Sequence, residues 1–245
     1  MNTYTTFHGD SDLKEFYLNR LKTHAKKDEF IKGKYWRNGR GCGVGCTVHS
    51  SDPHAMYPID LGIPESIAYL EDNIFENLPL AEAKNFPLKF IQSIEVGANL
   101  SQVISHFFIW LLVDPKSGVI RFSEENTKVN SCIRQVANLY TQRISGNELS
   151  PSAWSTARSD ADSAFRLSAM VGAETAALCA EESTLQDFNY PAYAGYAAKS
   201  AARCAAEATI GTRAWRESMY KSYRAMAKKL LSLLSEAPIM KGGEQ

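Results

Sequence analysis

No stretch of the 245 residues is long and apolar enough to cross a bilayer. The longest uninterrupted apolar run, Phe107 to Val113, has seven residues, where a spanning helix needs about twenty. An excess of charge of one sign is also missing. Lys and Arg number 27 and Asp and Glu number 27, which excludes a uniformly basic nucleic-acid coat and a strongly acidic mimic of DNA. The opening residues, MNTYTTFHGDSDLKEF, lack a basic segment followed by an apolar one, so no secretory signal is expected. Cysteine is scarce and odd in number: Cys42, Cys46, Cys132, Cys179 and Cys204 do not make a disulfide framework. A repeat is missing too. Ala157-Arg158-Ser159, Ala201-Ala202-Arg203 and Ala225-Met226-Ala227 look alike, but no fixed period connects them. These absences lead us to expect a cytoplasmic protein without membrane contact.

What is present is enough apolar material for a core, 44% hydrophobic and 11% aromatic residues, arranged almost throughout at helical spacing. Ser11 and Asp12 are expected to cap a first helix with Leu13, Phe16, Tyr17 and Leu21 on one face. A Gly-rich loop is expected from Gly33 to about Gly45. Pro64 then opens a helix with the stripe Ile67, Leu70, Ile74, Leu78, ending at Pro79. Phe86 to Leu112 reads as one or two buried helices interrupted near Gly97, and Asp114 to Gly118 as a turn. Val119-Ile120-Arg121-Phe122 reads as a short strand. Ser123 with Glu124 and Glu125 starts a helix carrying Val129, Ile133, Val136, Tyr140 and Ile144 on one side, ended by Gly146 and Asn147.

The second half is different in texture. Ser150-Pro151 is a helix start, a capping oxygen followed by proline at the first helical position. From Ala153 to Ala214 there are 19 alanines, which favour helix while burying little area each. Ala194, Ala198, Ala201, Ala205 and Ala208 fall three or four apart, suiting close backbone approach. Breaks are expected at Asn189-Tyr190-Pro191 and Ile210-Gly211-Thr212, and a frayed tail from Lys241 to Gln245. The expected fold is all-α, a helical bundle with at most a very short β element. It divides into an N-terminal helical part, 1–147, with the Gly/Cys/His loop, and an Ala-rich C-terminal bundle, 148–245.

Residues 35–54 are the most unusual segment: Gly39, Gly41, Gly43 and Gly45 alternate beside Cys42, Cys46, His49 and His54. Those four side chains suffice in number and chemistry for tetrahedral zinc, although the spacing C-x3-C-x2-H-x4-H is atypical. A second reading is a nucleophilic cysteine with His49 or His54 as base and Asp52 or Asp60 as orienter. A third is an anion cradle of backbone N–H groups flanked by Arg37 and Arg40, without the Gly-Lys-Ser/Thr of a P-loop. The plainest reading is packing: glycines mark close backbone approach, and the cysteines act as compact hydrophobes. That one is preferred, and no metal or cofactor is expected.

Charge is segregated although it sums to zero. Eight basic residues lie between Arg20 and Arg40, and none between Gly41 and Ala83, where Asp52, Asp60, Glu65, Glu71, Asp72, Glu76 and Glu82 collect. The favoured account is that these neighbours face each other in the fold, and the rival is a basic patch with Tyr35 and Trp36 for an acidic partner. The last helix, from about Thr212 to Ser235, puts Trp215, Met219, Tyr223, Met226, Leu230 and Leu233 in one stripe. Arg213, Arg216, Tyr220, Arg224 and Lys228 lie opposite, a face suited to nucleic acid or an acidic protein.

The run Gly33-Lys34-Tyr35-Trp36-Arg37-Asn38-Gly39-Arg40-Gly41-Cys42-Gly43-Val44-Gly45-Cys46-Thr47-Val48-His49 resembles an uncharacterised family of bacteriophage and prophage accessory proteins. So do Leu61-Gly62-Ile63-Pro64 and Leu70-Glu71-Asp72-Asn73-Ile74-Phe75-Glu76, and the Ala-rich C-terminal helices. The resemblance brings no catalytic residues with it. It implies a non-enzymatic protein of the host bacterial cytoplasm that binds and inhibits a nucleic-acid-guided defence complex, in the manner of anti-CRISPR proteins. Its partner would be a host protein or ribonucleoprotein met through Arg37, Arg40, Arg213, Arg216, Tyr220, Arg224 and Lys228. The alternatives are an enzyme or metal-binding protein using the Cys42/Cys46/His49/His54 loop, or a structural phage component.

Overall fold

A computed structural model describes residues 5–123, 126–167, 178–180, 182, 184, 191–206 and 212–240. They are mostly helical, with one two-stranded sheet among them. The chain forms two compact units, one of residues Met1–Val103 with Ala227–Gln245 and the other of Ile104–Met226. Residue 147 therefore lies inside the second unit, where it joins two helices that pack on each other. The last helix, Arg213–Ser235, supplies residues to both units.

In the first unit, α1 (Ser11–Lys26) starts at Asp10, not at Ser11 or Asp12: the Asp10 carboxylate accepts the backbone N–H groups of Asp12 and Leu13. Tyr17, Leu18, Leu21 and His24 are buried, whereas Phe16 is half exposed, its ring under the Arg20 guanidinium. The expected loop 33–45 is instead a hairpin followed by a helix. Strands β1 (Trp36–Arg37) and β2 (Arg40–Gly41) pair antiparallel with Arg37 opposite Arg40. Asn38 and Gly39 turn between them at φ 53° and 79°, the left-handed pair that a two-residue hairpin turn demands. Cys42 then caps α2 (Gly43–Val48), which packs against α1, α3 (Pro53–Leu61), α4 (Glu65–Asn77) and α6 (Phe86–Ser93). A one-turn helix, α5 (Leu80–Ala83), links α4 to α6.

That crowding accounts for the alternating glycines. A Cβ on Gly45 would lie 1.5 Å from the Tyr35 carbonyl oxygen and one on Gly41 would lie 1.9 Å from it. The packing reading thus describes the glycines well. The α4 stripe is buried as spaced, Ile67, Leu70, Ile74 and Leu78 all inside. The basic and acidic segments meet, but through hydrogen bonds to backbone carbonyls. The Lys32 ammonium donates to the carbonyls of Glu76 and Leu78 at the end of α4, where a cation complements the helix dipole. Arg20 donates to the Thr47 carbonyl at 2.7 Å.

The second unit holds α7 (Val103–Val113) from Ile104 onward, α8 (Thr127–Ile144), α9 (Pro151–Leu167) and a helix over Tyr193–Ala206. The Asp114 turn forms, its carboxylate accepting the N–H groups of Lys116 and Ser117. Val119–Phe122 is a 3-10 turn, not a strand; three β-formers with no paired neighbour have no ladder to join. α8 is capped by Asn126, whose side chain accepts from Val129, and not by Ser123. Ser150 Oγ accepts the Ala153 N–H at 3.3 Å, as the Ser-Pro signal predicts. In Tyr193–Ala206 small residues are buried on nearly every side, with Tyr196, Lys199 and Arg203 exposed. The expected breaks at Asn189-Tyr190 and Ile210-Gly211, Ala208 in the alanine stripe, Glu124 and Glu125 in the helix start, and the tail from Lys241 lie outside the described residues.

Candidate metal centre

The four sequence-derived ligands do not meet at one point. α2 is only six residues long, about 9 Å of helix, and it carries Cys42 as its N-cap and His49 as its C-cap. Tyr35 and Trp36, at the bend that enters β1, send their rings to different histidines. The Tyr35 ring stands edge-on to His54 at 5.1 Å, while the Trp36 ring lies flat on His49 at 4.0 Å. Cys42 and His54 therefore belong to one cluster, and Cys46 and His49 to another.

The first cluster adds two residues from α4. Asp72 and Glu76 are four apart and share a helix face. Cys42 Sγ and one carboxylate oxygen from each of them lie within 4.8 Å of one another. His54, the second residue of α3 after Pro53, is 2% exposed, and its ring stacks on Tyr69 at 3.8 Å. Its Nε2 is 3.3 Å from Asp72 Oδ2. That nitrogen and Asp72 Oδ1 are buried and make no hydrogen bond. Glu76 accepts the Gly33 N–H on both oxygens, at 2.9 and 3.0 Å. Burial first, and the Asp72 charge next, push both the Cys42 thiol and the Glu76 carboxyl above their ordinary values.

Beside it, Glu71 faces the other way. The Tyr57 hydroxyl donates to its Oε2 at 2.6 Å, both groups are fully buried, and burial raises the Glu71 carboxyl well above the usual range. Glu71 is thus held on Tyr57, while its neighbour Asp72 joins the cluster.

The second cluster is closed by its own hydrogen bonds. His24 Nδ1 lies 2.6 Å from Glu29 Oε2 and its Nε2 lies 2.7 Å from His49 Nε2. The carboxylate accepts, so Nδ1 of His24 carries hydrogen, and a single proton is shared between the two Nε2 atoms. Burial, then the positive charge of Arg20, lowers His49 to about 4. The Cys46 thiol donates to the Gly41 carbonyl at 3.4 Å and is pushed up to about 12 by burial. Both thiols hold their protons, which is unfavourable to a nucleophilic cysteine. Asp52, offered as an orienter, is exposed.

The donor set of the first cluster, one thiol, one imidazole and two carboxylates, is that of a zinc-class divalent ion. A tetrahedral zinc with bonds of about 2.0–2.3 Å separates its ligand atoms by about 3.3–3.8 Å; Cys42, Asp72 and Glu76 meet within 4.8 Å of one another, and His54 reaches the group through Asp72, 3.3 Å from its Oδ2. A cation there would also oppose the negative charge of Asp72 that raises both Cys42 and Glu76. Sequence reasoning missed Asp72 and Glu76. Their i, i+4 spacing behind Tyr69, beside the apolar stripe of α4, was the available signal. Of the other sequence-predicted contact residues, Arg37, Arg40, Arg213, Arg216, Arg224 and Lys228 are exposed and Tyr220 is half-buried. Comparison with known protein families, with curated proteins and with solved structures finds no match.

Proposed function

We propose that the first unit is a metal-binding module that holds a zinc-class divalent cation on Cys42, His54, Asp72 and Glu76. One observation carries this reading: a thiol and two carboxylates converge within 4.8 Å beside a buried imidazole nitrogen with no hydrogen-bond partner. The test is metal content and Co(II) substitution of the purified chain. The expected result is about one equivalent of zinc and, with Co(II), the near-ultraviolet absorption of a thiolate–cobalt bond, lost in Cys42→Ser and kept in Cys46→Ser. Less than about a tenth of an equivalent after loading with zinc would overturn it.

A second reading is the phage-type inhibitor of a nucleic-acid-guided defence complex. It is supported by the sequence resemblance and by the exposure of Arg213, Arg216 and Lys228 along one helix, with Arg37 and Arg40 on the hairpin. The contact would be salt-sensitive. Its test is capture of a purified ribonucleoprotein effector by the wild-type chain and by Arg213→Glu/Arg216→Glu. Because those side chains are exposed, stability should stay within about 0.5 kcal/mol while capture is lost. Capture that survives the double charge reversal would remove this face from the reading.

A further inference from the structure

A cavity of about 280 Å³ in the second unit is lined by three cations, Lys116, Arg121 and Lys221, with Ser222 and the aromatic rings of Trp110 and Phe122. No carboxylate lines it among the described residues. None of the three cations is within ion-pair distance of a carboxylate among the described residues. Concave positive surface of this kind focuses the field and attracts anions.

The cations on the 114–122 segment are held by a locked turn. Asp114 Oδ1 takes the N–H groups of Lys116 at 3.0 Å and Ser117 at 2.7 Å, and the Gly118 N–H returns to the Asp114 carbonyl at 2.8 Å. Arg121 Nε donates to the Gly118 carbonyl at 3.1 Å, and its guanidinium lies 4.9 Å from the Phe122 ring centre. Fixing Arg121 through Nε leaves its two terminal nitrogens available, the fork that matches a phosphate. Lys221 and Ser222 come from the last helix.

We propose that this cavity binds a small organophosphate of mononucleotide size or below, its phosphate on Lys116, Arg121 and Lys221 and its planar part against Trp110. Three cations suit a dianion better than a single carboxylate. The volume lies at the lower edge of ligand cavities, about 300–1,000 Å³, which suits a mononucleotide better than a dinucleotide. This inference is independent of the metal site in the first unit.

The test is calorimetric titration of the full chain with AMP as probe and adenosine as control. AMP is expected to bind saturably and more weakly as salt rises, with adenosine about tenfold weaker or worse. Arg121→Gln and Lys221→Gln should each weaken AMP about tenfold or more; both side chains are exposed, so each variant should stay folded, and Lys221→Gln should leave the melting temperature unchanged. Lys116→Gln is the substitute if either variant fails to fold. Absence of AMP binding, equal binding of adenosine, or full AMP affinity in the variants would each overturn the proposal. So would binding of a single-stranded oligonucleotide without AMP binding, which would make this face a nucleic-acid surface.

Discussion

The two polar clusters at the ends of α2 use similar residue types and reach different states. Around His49, a carboxylate, two imidazoles and a proton shared between Nε2 atoms satisfy one another at 2.6 and 2.7 Å, and an indole covers the ring. Around Cys42, a thiol and two carboxylates meet within 4.8 Å and His54 Nε2 stands 3.3 Å from Asp72 Oδ2, yet neither that nitrogen nor Asp72 Oδ1 makes a hydrogen bond. The first arrangement is complete with protons alone. The second gathers acceptors and negative charge in a place where burial penalises both. A buried set of donors and acceptors that balances reads as scaffold, and one that is short of positive charge reads as a site.

Both clusters hang on the same threaded backbone, so the largest effect comes from breaking it. Gly45→Ala places a Cβ where the Tyr35 carbonyl already is, at 1.5 Å. Backbone must move, and Tyr35 and Trp36 carry one ring to each cluster. A loss above about 4 kcal/mol is expected, seen as an unfolded or aggregated chain in urea titration. If Gly45→Ala folds with wild-type stability, the threading described here is wrong.

The next effect separates the clusters. Zinc at a hundredfold over its dissociation constant should stabilise the chain by about 2.7 kcal/mol, read as a shift in the denaturation midpoint. That shift should vanish in Cys42→Ser and Asp72→Asn and persist in Cys46→Ser and His49→Gln. A shift that follows Cys46 or His49 instead would move the metal to the other end of α2.

The helices could be read from sequence wherever one face carries the core. Ile67, Leu70, Ile74 and Leu78, or Val129, Ile133, Val136 and Tyr140, are buried as their spacing indicates. Punctuation was equally plain at Asp114 and at Ser150-Pro151. Two local signals were misread. Asn38-Gly39 is a hairpin turn whose strands are too short to show alternation, and Val119–Phe122 has strand formers without a partner. The site was half visible. Cys42 and His54 lie in the unusual segment, but their partners are a helix away, and nothing local ties position 42 to positions 72 and 76. What joins Cys42 to His54 and not to His49 is the length of α2 and the packing of Tyr35 on His54 and Trp36 on His49, which are facts of the fold.

A smaller loss is expected inside the closed cluster. His24→Ala removes a ring that is 6% exposed and leaves Glu29 and His49 without their shared partner. His49 is exposed and Glu29 partly so, so water can replace the lost partner and the cost should be about 1 kcal/mol, with zinc binding at Cys42 unaffected. Loss of metal in His24→Ala would mean the two clusters are coupled through α2.

The smallest effect is a change in pH dependence at His49. Its value is about 4 in the folded chain against 6.5 ordinarily. Between those two values the unfolded chain binds more protons than the folded one at this position, so stability falls as pH is lowered from about 6.5 towards 4 and levels off below. The groups that set this are Arg20 on α1, whose charge opposes a second cation, His24 on the same helix, and Glu29, which acts the other way. His49→Gln keeps a side chain able to lie on Trp36 and removes the titration. The variant should therefore lose part of the acid-side slope of stability against pH, while its stability near pH 8 changes by less than about 1 kcal/mol. Urea titrations from pH 4 to 8 on both chains measure this directly. Parallel curves would mean that the His49 ring does not feel Arg20 and His24. A variant with a steeper slope would mean that His49 is charged in the fold and that the proton between the two imidazoles belongs to a cationic pair.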